Sequence, residues 1–276
     1  MTNRHQGARP GEHAIGPVNK AVNYGRRFFQ SEYRPEVTRF VLRRLTGGDS
    51  DRIKVEESRL ECARIAITQA EAMEALGLDR SLLGRFETDQ AERLGAANEA
   101  VERAGAERMG GAADVDLLYA LCVATGARRV IETGVAFGWS TLAILSAIED
   151  RPGASLISID MPYLGASSDH LVGLAVSDDL RGAWTLRRGA DRDELEEAIA
   201  DIEPIDLAHY DSDKSASGRL WAYALMWDGL GPGGLLMSDD IGDNFSFLQF
   251  AEKRGIAPIV ISGPDGEKFS GILRKP

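Results

Sequence analysis

A chain of 276 residues with a formal net charge of −11 is long enough for one large domain plus an appendage, and it has the wrong sign for a partner held by nucleic-acid phosphates. Its hydrophobic share of 43% and charged share of 27% are those of an ordinary globular protein. No stretch approaches the ~18 uninterrupted apolar residues that a membrane span needs, the first residues (MTNRHQGARPGEHAIG) lack the apolar core of a secretory signal, and Cys62 and Cys122 stand apart from any CxxC or Cys/His cluster, as expected of reduced thiols in the cytoplasm.

Residues 1–25 are polar and broken by Pro10 and Pro17, which reads as a loose N-terminal arm. Residues 26–108 read as a helical region. Val37, Phe40, Val41 and Leu45 fall on one helical face, ended by Gly47-Gly48. Asp49, Ser50 and Asp51 then offer caps for a long helix from about Ile53 to Leu76, and Ser81 to Ala104 reads as a further helix. No fixed-period repeat and no low-complexity tract interrupts this pattern.

From 109 to 276 the rhythm changes to strands alternating with helices. Strands are expected at Arg129–Thr133, Ala154–Asp160, Trp184–Arg188, Ile205–Tyr210 and Gly234–Ser238. Helices are expected at Asp114–Thr125, Ser140–Ile148, Arg192–Ala200, Arg219–Gly229 and Phe247–Gly255. Pro258–Ser262 and Phe269–Arg274 face each other across Gly263-Pro264-Asp265-Gly266, a hairpin signature. The alternation argues for an α/β, doubly wound, mostly parallel sheet with a helical N-terminal extension.

The segment RRVIETGVAFGWSTLAI at 128–144 is the most informative. A β-branched run reaches Glu132, a turn with Gly134 and Gly138 follows, and Ser140 and Thr141 open an apolar helix. Such a turn is the ligand edge of an open α/β sheet. Its spacing, E-x-G-x-x-x-G-x-S, is neither GxGxxG nor GxxxxGK[ST], which argues against a nicotinamide site and a phosphate loop. Trp139, inside the turn, is open to ligand contact or to core packing. Asp160 ends the second strand, where an acid accepts from ribose hydroxyls or caps a loop. Asp191, after Gly189-Ala190, is open to ligand binding and to helix capping.

HYDSDKS at 209–215 and MSDDIGDN at 237–244 form the second constellation. Asp211 lies just past the fourth strand, and Asp239 and Asp240 just past the fifth. If those strands are neighbours, their tips lie ~5 Å apart and three carboxylates converge. That is unfavourable unless a hard cation such as Mg²⁺ sits among them; the opposing reading is a solvated acidic loop. Lys214 is either a base in that cleft or the surface partner of Asp213. His209, at a strand end, and His170, on a loop, are packing residues or site residues.

The glycine turn resembles motif I of class I S-adenosylmethionine-dependent methyltransferases, in the version of the small-molecule O-methyltransferases similar to catechol and caffeoyl-CoA O-methyltransferases. The resemblance, over roughly residues 105–276, implies a seven-stranded sheet whose terminal hairpin adds one antiparallel strand. It also implies an S-adenosylmethionine site with Glu132, Gly134, Gly138 and Ser140 in the turn, Asp160 on the ribose, and Ala190 and Asp191 against the adenine. DSDK followed by DD resembles the Asp-x-Asp-Lys…Asp-Asn pattern of the cation-dependent branch. That implies a divalent metal such as Mg²⁺ on Asp211, Asp239 and Asp240, and Lys214 as base, with His209 a further catalytic candidate. Two features depart from the pattern. Asp240 stands where the family has Asn, as in macrocin-type sugar O-methyltransferases, and no tyrosine closely follows Lys214. The implied acceptor is therefore a phenolic or a sugar hydroxyl of a small molecule, with no nucleic acid or membrane involved. The N-terminal helices would cap the acceptor site or form a dimer interface. A metal-independent methyltransferase and a non-catalytic methyltransferase-fold subunit are the alternatives.

Overall fold

The computed structural model describes residues 52–105, 109, 114–162, 168–263, 266 and 268–276, with isolated positions between 29 and 41. The expected arm at 1–25 and most of the helix expected from Pro35 lie outside those residues, as do Pro264 and Asp265 of the hairpin turn.

Seven strands form one sheet: β1 (Arg129–Thr133), β2 (Ser155–Ile159), β3 (Trp184–Arg187), β4 (Ile205–Tyr210), β5 (Leu230–Ser238), β6 (Ile259–Ser262) and β7 (Phe269–Arg274). Their order is β3-β2-β1-β4-β5-β7-β6. The pairs from β3 to β5 are parallel, and β7 runs antiparallel to both β5 and β6, as the hairpin signature requires. β1, β4 and β7 have the bounds read from sequence. β5 begins earlier than expected, at Leu230, which pairs with Ile205 before a register shift.

The sheet is buried on both faces, which is why its strands read as apolar runs. Val130, Leu156, Leu207 and Leu235 share one core with α5 (Val115–Thr125) and α6 (Trp139–Ile148). Their chain neighbours Ile131, Ile157, Ala208 and Leu236 face the other way. They pack with α7 (Asp191–Ile202), α8 (Ala216–Gly229) and α9 (Ser246–Arg254). Among the described residues, no helix is long and apolar enough to cross a membrane.

The N-terminal helices are more broken than their periodicity suggests. The helix expected from Ile53 to Leu76 is two, α1 (Arg52–Ile65) and α2 (Gln69–Ala75). Between them Ile67 makes a bridge to Ile261, its N–H donating to Val260 O at 2.9 Å. Thr68 and Glu71 then close a capping box on α2. The helix expected over Ser81–Ala104 resolves into a 3-10 turn at Arg80–Leu82, α3 (Arg85–Asp89) and α4 (Ala91–Arg103). Gly84, at φ +79°, breaks it, and the Asp116 carboxylate accepts from the freed N–H groups of Gly84 (2.6 Å) and Phe86 (3.2 Å). α1 reaches the far side of the sheet tips, where Arg59 Nη2 lies 3.5 Å from Asp243 Oδ1.

Candidate active site

The parallel ladder delivers one acid from each of three strand tips. Past the strand ends, Asp160 N donates to Arg187 O (3.0 Å), Asp211 N to Thr133 O (2.9 Å) and Asp239 N to Tyr210 O (3.0 Å). Asp160, Asp211 and Asp239 are thereby held along the carboxyl edge of the sheet, beside the glycine turn. The turn itself is clamped: Gly134 N donates to Ile159 O (2.8 Å), and Gly173 N and Ala175 N donate to Ala136 O and Phe137 O (2.9 and 2.8 Å). Gly134 has φ +83°, and a Cβ there would lie 2.1 Å from Asp211 O, so glycine is required for β1 and β4 to approach at their tips. Gly138, at φ +91°, faces Gly173 and Val176 instead.

A cavity of about 320 Å³ opens at this edge, large enough for a small cofactor. Gly134, Val135, Ala136, Trp139 and Ser140 of the turn line one side. His209, Asp211, Lys214, Asp239 and Asp240 line the cavity further, with Lys268 and Asp114. Met109, Val115, Leu118 and Met237 add apolar wall. Eight of the residues singled out in the sequence thus share one cavity: Gly134, Trp139, Ser140, His209, Asp211, Lys214, Asp239 and Asp240. Glu132, Gly138, Asp160, Ala190 and Asp191 lie outside its wall.

Glu132 is fully buried and accepts from Ser140 Oγ (2.6 Å), Thr141 Oγ1 (2.6 Å) and Ser158 Oγ (2.7 Å), which locks the turn onto β1 and β2. Asp160 is buried too, and that burial pushes its carboxyl up to about 6 against the pull of Arg188, 2.8 Å away. Arg188 also reaches Asp169 at 3.3 Å. Ala190 is the residue before α7, and Asp191 lies in the helix's first turn, where its carboxylate accepts from Ser212 Oγ. His170 is exposed in a 3-10 turn, and the Tyr210 hydroxyl donates to Asp213 O at 2.8 Å inside the core.

His209 lies between two acids. Its Nδ1 is 3.5 Å from Glu132 Oε1 and its Nε2 is 3.6 Å from Asp239 Oδ2. Burial disfavours the imidazolium, but these two carboxylates outweigh it and raise the group to about 10. His209 is therefore a buried cation at neutral pH, joining β1 to the tip of β5. Asp239 is held below its ordinary value: burial opposes this, and His209 more than offsets it. Asp239 also accepts from Ser270 Oγ at 3.0 Å. Asp114, whose carboxyl burial pushes up, accepts from the same hydroxyl and from Gln69 Nε2 at 3.0 Å. Asp114 and Lys268 line the cavity, while Ser270 and Arg188 contact Asp239 and Asp160; none of the four was singled out from sequence.

Lys214 Nζ bridges the carboxylates of Asp211 and Asp240, 3.0 Å from the latter. Burial disfavours its charge, but the two acids outweigh that and hold it as an ammonium. Burial pushes the Asp211 carboxyl up while Lys214 pulls the other way. Among the described residues no group of three or more His, Cys, Asp or Glu side chains converges as a ready-made metal site. The donor set still suits a hard cation: Asp211 and Asp240 point at one positive charge, and Asp239 lines the same cavity.

Residues 131–241 match the family model described as a methyltransferase domain. A putative O-methyltransferase from Klebsiella pneumoniae has the same fold, with TM-score 0.53 and 20% identity, covering 67% of this chain and 90% of that one. So does an O-methyltransferase from Bacillus cereus in complex with SAH (TM-score 0.53, 17% identity, 67% and 91% covered). So does the O-methyltransferase TomG from Streptomyces achromogenes, involved in tomaymycin synthesis and solved with SAM (0.52, 18%, 67% and 90%). No curated protein matches the sequence.

Proposed function

We propose that this chain, a class I methyltransferase by its fold and by the domain that residues 131–241 match, transfers the methyl group of S-adenosylmethionine to a hydroxyl oxygen of a small molecule, assisted by a divalent cation such as Mg²⁺. One observation carries the reading: the glycine turn and the acids of the β4 and β5 tips line a single cavity, so donor and acceptor sites adjoin.

In this reading S-adenosylmethionine lies over the tips of β1 and β2. Gly134 and Ser140 border it, the Asp160 carboxylate accepts from the ribose hydroxyls, and Ala190 and Asp191 border the adenine. Glu132 ties Ser140 and Thr141 to the strand and so fixes the turn that borders the cofactor. Asp211, Asp239 and Asp240 would hold the cation, which supplies positive charge against the carboxylates and acidifies an acceptor hydroxyl. Lys214 Nζ is an ammonium between Asp211 and Asp240; to serve as base it would first release that proton to solvent, and the neutral amine would then accept the acceptor hydroxyl's proton. His209 stays charged and orients Asp239. Met109, Leu118 and Met237 exclude water from the acceptor side. The acceptor is a phenol or a sugar hydroxyl. A cytoplasmic homodimer, with the N-terminal helices capping the acceptor or forming the interface, completes the proposal.

Isothermal titration with S-adenosylhomocysteine, together with transfer of labelled methyl to catechol and sugar acceptors in Mg²⁺ or chelator, tests this. The expected result is one nucleoside bound per chain, with transfer that chelator abolishes. Asp211→Ala and Asp240→Ala should remove cation-stimulated transfer and leave cofactor binding largely intact. Absence of nucleoside binding contradicts the whole reading; full activity in chelator contradicts the cation.

A further inference from the structure

Arg219 is the most deeply buried charge in the described residues that the mechanism above does not use. It lies on α8, is 0% exposed, and has no carboxylate in hydrogen-bond contact; the nearest, Asp243 Oδ2, is 4.0 Å away. Its Nη1 donates to Asp239 O (3.1 Å) and to the Tyr223 hydroxyl (3.2 Å), and its Nη2 donates to Asp240 O (3.0 Å). Its Nε has no hydrogen-bond partner among the described residues. Burying a guanidinium under such terms is a poor way to stabilise a core, since a well-packed apolar side chain would do better. What the fork does achieve is specific: one rigid group holds two consecutive backbone carbonyls.

Those carbonyls belong to the acidic pair at the tip of β5. Asp240 has φ +52°, a left-handed conformation that side chains other than glycine rarely adopt. The backbone therefore turns sharply between the two acids. Asp239 is left facing His209 and Ser270, while Asp240 faces Lys214 across the cavity. Tyr223 extends the clamp, its hydroxyl lying 2.7 Å from Ser238 Oγ. On the outer side Asp243 links the same turn to Arg59 of α1. We propose that Arg219 is a positioning residue: by holding the carbonyls of Asp239 and Asp240 it fixes the strained turn that aims their two carboxylates into the acceptor half of the cavity. The proposal rests on the function proposed above for what the carboxylates do, but not for how they are held.

Arg219→Met and Arg219→Lys test it, with three readouts on the intact chain. These are hydrogen exchange of the backbone amides from 238 to 244, affinity for S-adenosylhomocysteine, and Mn²⁺ affinity from the spin resonance of free ion. In Arg219→Met the turn should exchange at least tenfold faster and Mn²⁺ should bind at least tenfold more weakly. Nucleoside affinity and exchange in β1 and β2 should stay within about twofold of wild type. Arg219→Lys keeps the charge but cannot fork to both carbonyls, so it should fall between the two. If Arg219→Met does not fold, the lysine variant decides by the same readouts. Unchanged exchange at 238–244 overturns the proposal, as does nucleoside affinity falling in step with Mn²⁺ affinity. If the wild type binds no Mn²⁺, the cation reading fails on its own, and the exchange of the turn still decides for or against Arg219.

Discussion

Replacing Gly134 by alanine tests whether the site depends on the close approach of two strand tips. The new Cβ would lie 2.1 Å from the Asp211 carbonyl oxygen, a distance real Cβ atoms essentially never show, so β1 and β4 must part by close to an ångström. The residue also has φ +83°, which costs an L-residue about 1–2 kcal/mol by itself. Forcing an extra carbon into a packed contact adds about 1–3 kcal/mol. The total, about 2–5 kcal/mol, corresponds to a fall in Tm of roughly 3–9 °C for a chain of this size. Gly134 and Asp211 both line the cavity where they meet, so the same displacement should weaken S-adenosylhomocysteine binding at least tenfold, about 1.4 kcal/mol. Calorimetry and titration below the transition measure both. Gly153→Ala is the control: it shares the backbone strain at φ +73° but has nothing within 4 Å of its Cβ. If Gly134→Ala matches this control in Tm and in nucleoside affinity, the strand-tip account is wrong.

Asp160→Asn should bind S-adenosylhomocysteine at least tenfold more weakly and yet be more stable at neutral pH. The wild-type carboxyl titrates near 6 when folded, above its ordinary 3.8, so its favourable contribution exists below 3.8 and is lost as pH rises through 6. The ionised form therefore costs about 3 kcal/mol, and urea melts should show the variant's advantage at pH 7.5 shrinking toward pH 4. A variant less stable than wild type at pH 7.5 would contradict this. His209→Leu removes the cation between Glu132 and Asp239 and should cost about 3–5 kcal/mol in chemical denaturation; a loss under 1 kcal/mol would show that the imidazolium does not hold the two acids. Thr68→Ala opens the capping box of α2 and should cost about 1 kcal/mol with nucleoside affinity unchanged; no shift in Tm would mean that the cap is idle.

The sheet was legible because parallel strands buried on both faces spell themselves as short apolar runs, and β1, β2, β4 and β5 each carry an acid at or just past the end. Glu132, Asp160, Asp211 and Asp239 could be found for that reason. The breaks in the N-terminal helices were also written in the chain, as Thr-x-x-Glu at 68–71 and as Gly84, but helical periodicity continues across both. Ser270 and Arg219 were not legible. Ser270 reaches Asp239 only because β7 inserts antiparallel beside β5, and Arg219 reaches its carbonyls only because α8 crosses beneath that strand. Neither pairing has a local signature. Lys214 is intermediate: its spacing from Asp211 placed it near the acids, and only the fold shows it bridging Asp211 and Asp240.

Diffraction from crystals soaked with S-adenosylhomocysteine and Mn²⁺ tests most directly whether donor and acceptor chemistry share one cavity. The account predicts the nucleoside over the tips of β1 and β2, its ribose on Asp160, with an anomalous manganese peak among Asp211, Asp239 and Asp240. Nucleoside bound away from Gly134, or manganese bound away from the ends of β4 and β5, would contradict it.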